Sequence, residues 1–197
     1  MNPGVRVEPV VLRGDLIRLE PLDQQHAQGL YNRGCTADDW RFMPRSCFID
    51  MADVRQWIGE AVEAPHQLPF VIVENGKNKA VGSTRYLNIR PEHRALEIGW
   101  TWLGREWQRT GINTEAKLLL LSHAFDRLRC LRVEFKTDAR NLRSQRALER
   151  IGATREGVLR KHMIVQSNFA RDSVYFSVID SDWPEVKKRL TLLRERA

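Results

Sequence analysis

Between Ala95 and Gly152 the chain is predicted to run strand, loop, helix and then strand, turn, helix again. This double succession restricts it to folds in which helices cover a sheet. The first unit is a strand over Ala95 to Leu103, a loop over Gly104 to Asn113 and a helix over Thr114 to Leu128, whose Leu118, Leu121, Phe125 and Leu128 form one apolar stripe. In the second, Leu131, Val133 and Phe135 alternate with Arg132, Glu134 and Lys136 as a strand, and a short helix over Asn141 to Ile151 stops at Gly152.

The flanking segments supply further strands. Val10 to Leu22 carries Leu12, Ile17 and Leu19 in strand-like alternation around a Gly14-Asp15 turn, with Asp23 as cap of the following helix. Asp23 to Arg33 and Asp53 to Ala64 read as two helices joined by a loop holding Trp40, Phe42 and Phe48. Phe70 to Val73 and Ala80 to Ile89 form a hairpin in which Asn75-Gly76 supplies the positive φ of the reversal. Two closing strands, Gly157 to Val165 and Ser173 to Ile179, flank a Gln166-Ser167-Asn168 turn, and a helix is expected from Trp183 through residue 197, after a flexible lead over residues 1–9. With 197 residues and no linker, this is a single α/β (α+β) domain on a mixed sheet.

Three cysteines, Cys35, Cys47 and Cys130, give neither a disulfide framework nor a zinc spacing, and the five histidines show no metal-ligand spacing, so no metal is expected. No apolar run approaches the ~20 residues of a membrane span, and Met1 to Arg13 lack the apolar centre of a signal peptide. A cytoplasmic protein without a membrane partner is expected. Of the net charge of +7, Asp126 to Lys161 accounts for +6, with 11 basic and 5 acidic residues. Such density attracts phosphate, whether of nucleic acid, a membrane surface or a small ligand, or it is simply a solvated helix face.

The loop Gln108-Arg109-Thr110-Gly111-Ile112-Asn113 bears on that choice. It leads into a helix N-terminus, where backbone N–H groups lack partners and the helix dipole favours an anion. Gly111 lets the backbone approach a ligand, Arg109 adds a cation, and Thr114 or Asn113 is placed to cap the helix. The alternative is that Gly111 only permits a turn.

This loop resembles the Q/R-x-x-G-x-G/A coenzyme A pyrophosphate loop of the GNAT N-acetyltransferase superfamily, with Asn113 at the third small position. Asn141-Leu142-Arg143-Ser144, Glu149, Gly152 and Glu156-Gly157-Val158-Leu159-Arg160 resemble a run of its RimJ/RimL-type branch, which includes ribosomal-protein-alanine N-acetyltransferases. The likeness extends from Leu12 to Asp182-Trp183-Pro184. It implies a mostly antiparallel sheet, flanked by helices and splayed between Ala95–Leu103 and Leu131–Thr137, with acetyl-CoA held in the gap. It also implies an oxyanion donor on the backbone of the strand ending Thr101-Trp102-Leu103, a pantetheine contact from Asn141, and Ser144 as proton donor to the departing thiolate. Asn141 and Ser144 are equally suited to cap a helix. Leu148 occupies the place where many relatives have a tyrosine, and Met163 the place where some have a glutamate base.

For the base, Glu97 on the strand beside the thioester and His162, with an unperturbed pKa near ~6.5, are the candidates. Glu97 paired with an arginine such as Arg94 is the structural alternative. Arg109, Lys117, Arg143 and Arg146 are candidate neighbours of the coenzyme phosphates, which leaves no need for a nucleic-acid partner. The expected activity is direct acetyl transfer from acetyl-CoA to a primary amine, a protein N-terminus or a small molecule, with Trp40, Phe42, Phe48 and Trp57 available to line an acceptor pocket. A non-catalytic acyl-CoA-binding module is the rival reading, and a homodimer is expected by analogy.

Overall fold

A computed structural model describes residues 6–195. Eight strands, β1 (Leu12–Arg13), β2 (Ile17–Pro21), β3 (Leu68–Glu74), β4 (Lys79–Arg90), β5 (Ala95–Leu103), β6 (Arg132–Asp138), β7 (Thr154–Val165) and β8 (Phe169–Ile179), form one sheet in the order β1-β2-β3-β4-β5-β6-β8-β7. All neighbours are antiparallel except β5 and β6, which run parallel and are joined by a helical crossover. Six α-helices accompany them: α1 (Ala27–Tyr31), α2 (Ala37–Trp40), α3 (Met51–Glu63), α4 (Ile112–Ser122), α5 (Leu142–Ile151) and α6 (Trp183–Glu195).

The parallel pair positions the site. β5 and β6 are in register only at Ala95↔Arg132, Leu96↔Val133 and Glu97↔Glu134, beyond which the two strands part. A bulge in β5 accompanies the parting. Arg85 opposes Gly99 and Ser83 opposes Trp102, so Thr84 alone faces both Trp100 and Thr101. Trp100 takes up the extra residue in the left-handed region, at φ 50°, a conformation that a bulky side chain adopts only under constraint. Arg85 supplies part of that constraint: its guanidinium is sandwiched between the Trp57 and Trp100 rings, 4.9 and 4.7 Å from their centroids.

Two cores lie on opposite faces. On one, α4 and α6 bury Leu120, Leu121, Trp183 and Leu190 against Phe70, Leu96, Val133 and Phe176. On the other, α1 to α3 build a cluster of Trp40, Phe48, Trp57 and Trp102, with Trp40 and Trp102 ring centroids 5.1 Å apart. Trp40, Phe48 and Trp57 are therefore core side chains rather than pocket walls; of the four aromatics expected in a pocket, only Phe42 lines the cavity described below. Glu115 ties the faces to the N-terminal hairpin: its buried carboxylate accepts from the backbone N–H groups of Asp15, Leu16 and Ile17 at 3.0, 2.8 and 2.9 Å.

Local departures from the sequence expectations have physical causes. The β3–β4 reversal places its left-handed residue at Asn78, not at Gly76. The Asn75 side chain instead donates to the Gly14 and Asp15 carbonyls, pinning one hairpin to the other. The helix expected over Thr114 to Leu128 starts two residues earlier and turns into a π-helical segment over His123–Arg127, next to the Leu120 carbonyl that accepts from the Tyr86 hydroxyl at 2.7 Å. Val7 and Val10 pack against the core, while residues 1–5 of the expected flexible lead and residues 196–197 of the expected last helix lie outside the described residues.

Candidate active site

The gap between β5 and β6 is a cavity of about 490 Å3. Its walls are the separated halves of the two strands, the loop Gln108 to Asn113, Lys117 of α4, the first turns of α5, and Met163 and Arg171 from the β7–β8 hairpin. Two helix N-termini converge on it. At α4 the N-cap is Gly111, with no side-chain cap, so neither Asn113 nor Thr114 performs the capping expected of it. The first-turn N–H groups of α4 lack intrahelical partners, apart from a long bond from Ile112 N to Thr110 Oγ1 at 3.4 Å. At α5, Asn141 is the N-cap and its Oδ1 accepts from Ser144 N at 3.0 Å.

The loop is held from three sides. Gln108 donates to Asp39 Oδ1 at 2.8 Å and to the Leu103 carbonyl at 3.0 Å, and accepts from Arg143 Nη1 at 2.9 Å. Thr110 Oγ1 donates to the Trp107 carbonyl at 2.7 Å. Arg109 is left-handed at φ 61° and exposed. Gln108, Arg109, Thr110 and Asn113 line the cavity, whereas Gly111, Ile112 and Thr114 stand behind it: Ile112 packs in the core, and buried Thr114 receives Arg150 Nη2 at 3.4 Å. Arg146 is exposed on α5 and is absent from the cavity wall; Arg143 and Arg150, one turn to either side, occupy it instead. Among the described residues, Arg109, Arg143 and Arg150 have no carboxylate within ion-pair distance. Elsewhere in the basic segment, Arg132 is held by Glu134 and Glu156, Arg140 by Asp138 and Lys136 by Glu97. Arg109, Arg143 and Arg150 stand beside the two helix N-termini, an arrangement that fits a diphosphate.

At the strand parting, Trp100 and Thr101 have no register partner on β6, and the β5 backbone of the bulge borders the cavity, where it is a candidate donor to a carbonyl oxygen. Trp102 and Leu103 both contribute to the wall, Trp102 while also packing in the α1–α3 core. Ser144 lines the cavity with its N–H committed to Asn141, and Leu148, one turn on, also lines it.

Glu97 is 1% exposed and forms part of the wall, and its partner is not the expected Arg94, which donates to the Arg129 carbonyl. Its carboxylate accepts from Asn88 Nδ2 at 2.7 Å and pairs with Lys136 Nζ at 3.2 Å. His162 lies outside the cavity wall, with Nδ1 3.0 Å from Ser173 Oγ and Nε2 3.3 Å from the Tyr175 hydroxyl. Burial, with Lys136 and Arg171 nearby, holds its pKa below the usual imidazole value against an opposing pull from Glu97.

Three features escape a reading of the sequence. The first is the burial of Lys117, expected only as a neighbour of the coenzyme phosphates: it is 6% exposed, its Nζ donates to Thr101 Oγ1 at 2.8 Å and stands 5.9 Å from the Phe135 ring centroid, and burial pushes its pKa down to about 7. Arg171 falls outside the predicted strand because the alternating apolar pattern begins only at Ser173. The β5 bulge places its left-handed residue at Trp100 rather than at the adjacent Gly99, so no glycine signals it.

The sequence profile of the acetyltransferase (GNAT) domain matches residues 17–154, more than half of the chain. YdaF of Bacillus subtilis (strain 168), provisionally named a ribosomal N-acetyltransferase, is 33% identical over 96 residues; this spans 49% of this chain and 51%, about half, of that relative. A solved acetyltransferase from T. thermophilus, itself provisionally assigned, is 37% identical with a TM-score of 0.88, over 95% of this chain and 98% of that one. A GCN5-related N-acetyltransferase from Brucella melitensis superposes with a TM-score of 0.91 at 29% identity, over 96% and 87% of the two chains. The splayed parallel pair, the loop at the α4 N-terminus and these matches agree: the chain belongs to the acetyltransferase (GNAT) domain family, a family of acyltransferases.

Proposed function

We propose that the chain transfers an acetyl group from acetyl-CoA directly to a primary amine, with a protein N-terminal α-amine, such as that of a ribosomal protein, as acceptor. The observation that carries this reading is the parting of β5 and β6 beside two helix N-termini with uncompensated arginines. Acetyl-CoA supplies a thioester, whose carbonyl needs a hydrogen-bond donor and whose sulfur needs a proton on leaving. The loop Gln108–Asn113 with Arg109, Arg143 and Arg150 holds the phosphates, Asn141 the pantetheine arm, and the β5 bulge the carbonyl oxygen. Ser144 delivers the proton to sulfur. Glu97, fixed by Asn88 and Lys136, takes the proton from the attacking amine. The name carried by the Bacillus relative, a ribosomal N-acetyltransferase, supports a ribosomal acceptor. The protein works in the cytoplasm, where acetyl-CoA and nascent N-termini meet.

Calorimetric titration with acetyl-CoA and with free coenzyme A at two salt concentrations tests the reading. Micromolar binding, weakened by salt, is expected, followed by thiol release when peptides with a free N-terminus are added. No binding of either nucleotide overturns the assignment, and thiol release with small amines alone moves the acceptor to that class.

A further inference from the structure

Part of the cavity wall is Glu97 from β5, Lys136 and Asp138 from β6, and Arg171 from β8, with Ser173 opposite Asp138 on the same sheet face. Arg171 is 4% exposed and lines the cavity. Its Nε donates to Ser173 Oγ at 2.9 Å, and among the described residues its terminal nitrogens have neither a hydrogen-bond partner nor a carboxylate within ion-pair distance. The two carboxylates nearest to it, Asp138 and Glu97, act on it through space but make their bonds elsewhere. Asp138 accepts from the Arg140 backbone N–H and side chain at 2.7 to 2.9 Å, and Glu97 is taken by Asn88 and Lys136. Burial lowers the Arg171 pKa, yet a guanidinium keeps its charge at any physiological pH, so a fixed cation faces the cavity with its donor fork unfilled. The fork opens onto the cavity, and the geometry that fills it is a carboxylate accepting both terminal N–H groups.

We propose that Arg171 receives a carboxylate of the acyl acceptor, so that the acceptors of this site are amines that also carry a carboxylate: a free amino acid, or a peptide N-terminus followed by an acidic side chain. The inference rests on the acetyl-transfer reading and narrows its acceptor. In the reaction the acceptor nitrogen bonds to the acetyl carbon as the C–S bond breaks, its proton passes to the base, and the thiolate leaves protonated; Arg171 takes no part beyond holding the acceptor. A polyamine would set further cations against Arg171 and Lys136, and a neutral amide would leave the fork unfilled.

The test uses matched pairs on the coenzyme A-saturated protein: N-acetylalanine against N-acetylalaninamide, and N-acetyl-Ala-Asp-amide against N-acetyl-Ala-Asn-amide, titrated calorimetrically, with thiol-release rates for the four free amines. In at least one pair the carboxylate member is expected to bind about tenfold or more tightly and to show a KM lower by a similar factor; which pair responds separates the free amino acid from the peptide. Arg171→Gln should erase the preference while leaving acetyl-CoA affinity within about twofold, and Arg171→Lys should retain part of it. Equal or undetectable binding within both pairs of the wild-type protein overturns the proposal, and needs no variant to fold. Absence of acetyl-CoA binding would instead remove the acetyl-transfer reading, while a carboxylate preference among the titrated products would still place the anion at Arg171.

Discussion

Lys117 and Ser144 face the same cavity from different helices and are expected to respond oppositely to removal. Lys117 has no carboxylate within ion-pair distance among the described residues, and burial takes its pKa from the ordinary 10.5 to about 7. Below pH 7 both folded and unfolded chains hold the proton, and the folded state bears the whole cost of the buried cation. Between about 7 and 10.5 the unfolded chain binds more protons, so stability rises with pH. Lys117→Met is expected to be more stable at pH 7, by roughly 1–4 kcal/mol, and to lose the alkaline rise. Urea unfolding at pH 6.5, 8 and 9.5 reads both effects, and an unchanged slope in the variant contradicts the burial argument. Ser144→Ala removes only a hydroxyl, because the residue's backbone N–H makes the cap contact with Asn141. Turnover should fall by about 100- to 10,000-fold with acetyl-CoA affinity within twofold, as general acid catalysis is worth roughly that much. A loss of affinity with kcat intact would make Ser144 a binding residue.

At the scale of elements, the local grammar of caps and turns was legible and the long-range register was not. Gly152 ends α5 in the left-handed region at φ 95°, as a helix-stopping glycine should, and the Ala95–Leu103 strand has the bounds its alternation predicts. The loop at Gln108 announced itself by position, between strand and helix. The β5 bulge did not, because it arises from how β4 lies against β5 and from Arg85 wedged between two tryptophans. Arg171 and the Glu97–Lys136 pair were hidden for the same reason: which charges meet depends on the β5-β6-β8 order, which no single segment encodes. Trp40, Phe48 and Trp57 are available to a pocket by sequence but read more readily as core, and the packing of α1 to α3 puts them there. The bulge can be tested through Gly82, where an added Cβ would stand 2.2 Å from the Trp102 carbonyl oxygen. Gly82→Ala must push β4 and β5 apart beside the cavity. A destabilisation of about 2–4 kcal/mol and a weakened acetyl-CoA affinity are expected together. Destabilisation with unchanged affinity would detach the bulge from the coenzyme site.

Across the whole molecule, the parting of β5 and β6 divides the sheet into two halves that share only three paired positions. One half carries the α1–α3 core, and α4 and α6 span the other face. A coenzyme lying in the gap touches both strands, the α4 loop and the α5 cap at once, so binding should act on global stability rather than on one loop. Linkage gives about 2.7 kcal/mol at a ligand concentration of 100 Kd, and a domain of this length gains roughly 2–4 °C in Tm per kcal/mol. Acetyl-CoA at that concentration is therefore expected to raise Tm by about 5–10 °C. Hydrogen exchange should slow in the strand segments that border the gap, Trp100 to Leu103 and Phe135 to Asp138, and not only at the α4 N-terminus. Gly111→Glu sets a carboxylate at the α4 N-cap, beside the first-turn N–H groups, and is expected to abolish both effects, with circular dichroism checking that the buried position still folds. If the variant keeps the thermal gain, the phosphates do not sit at the α4 N-terminus. If wild-type protein gains Tm with protection confined to that helix end, the ligand binds outside the gap, and the parting of the strands serves some purpose other than holding the thioester.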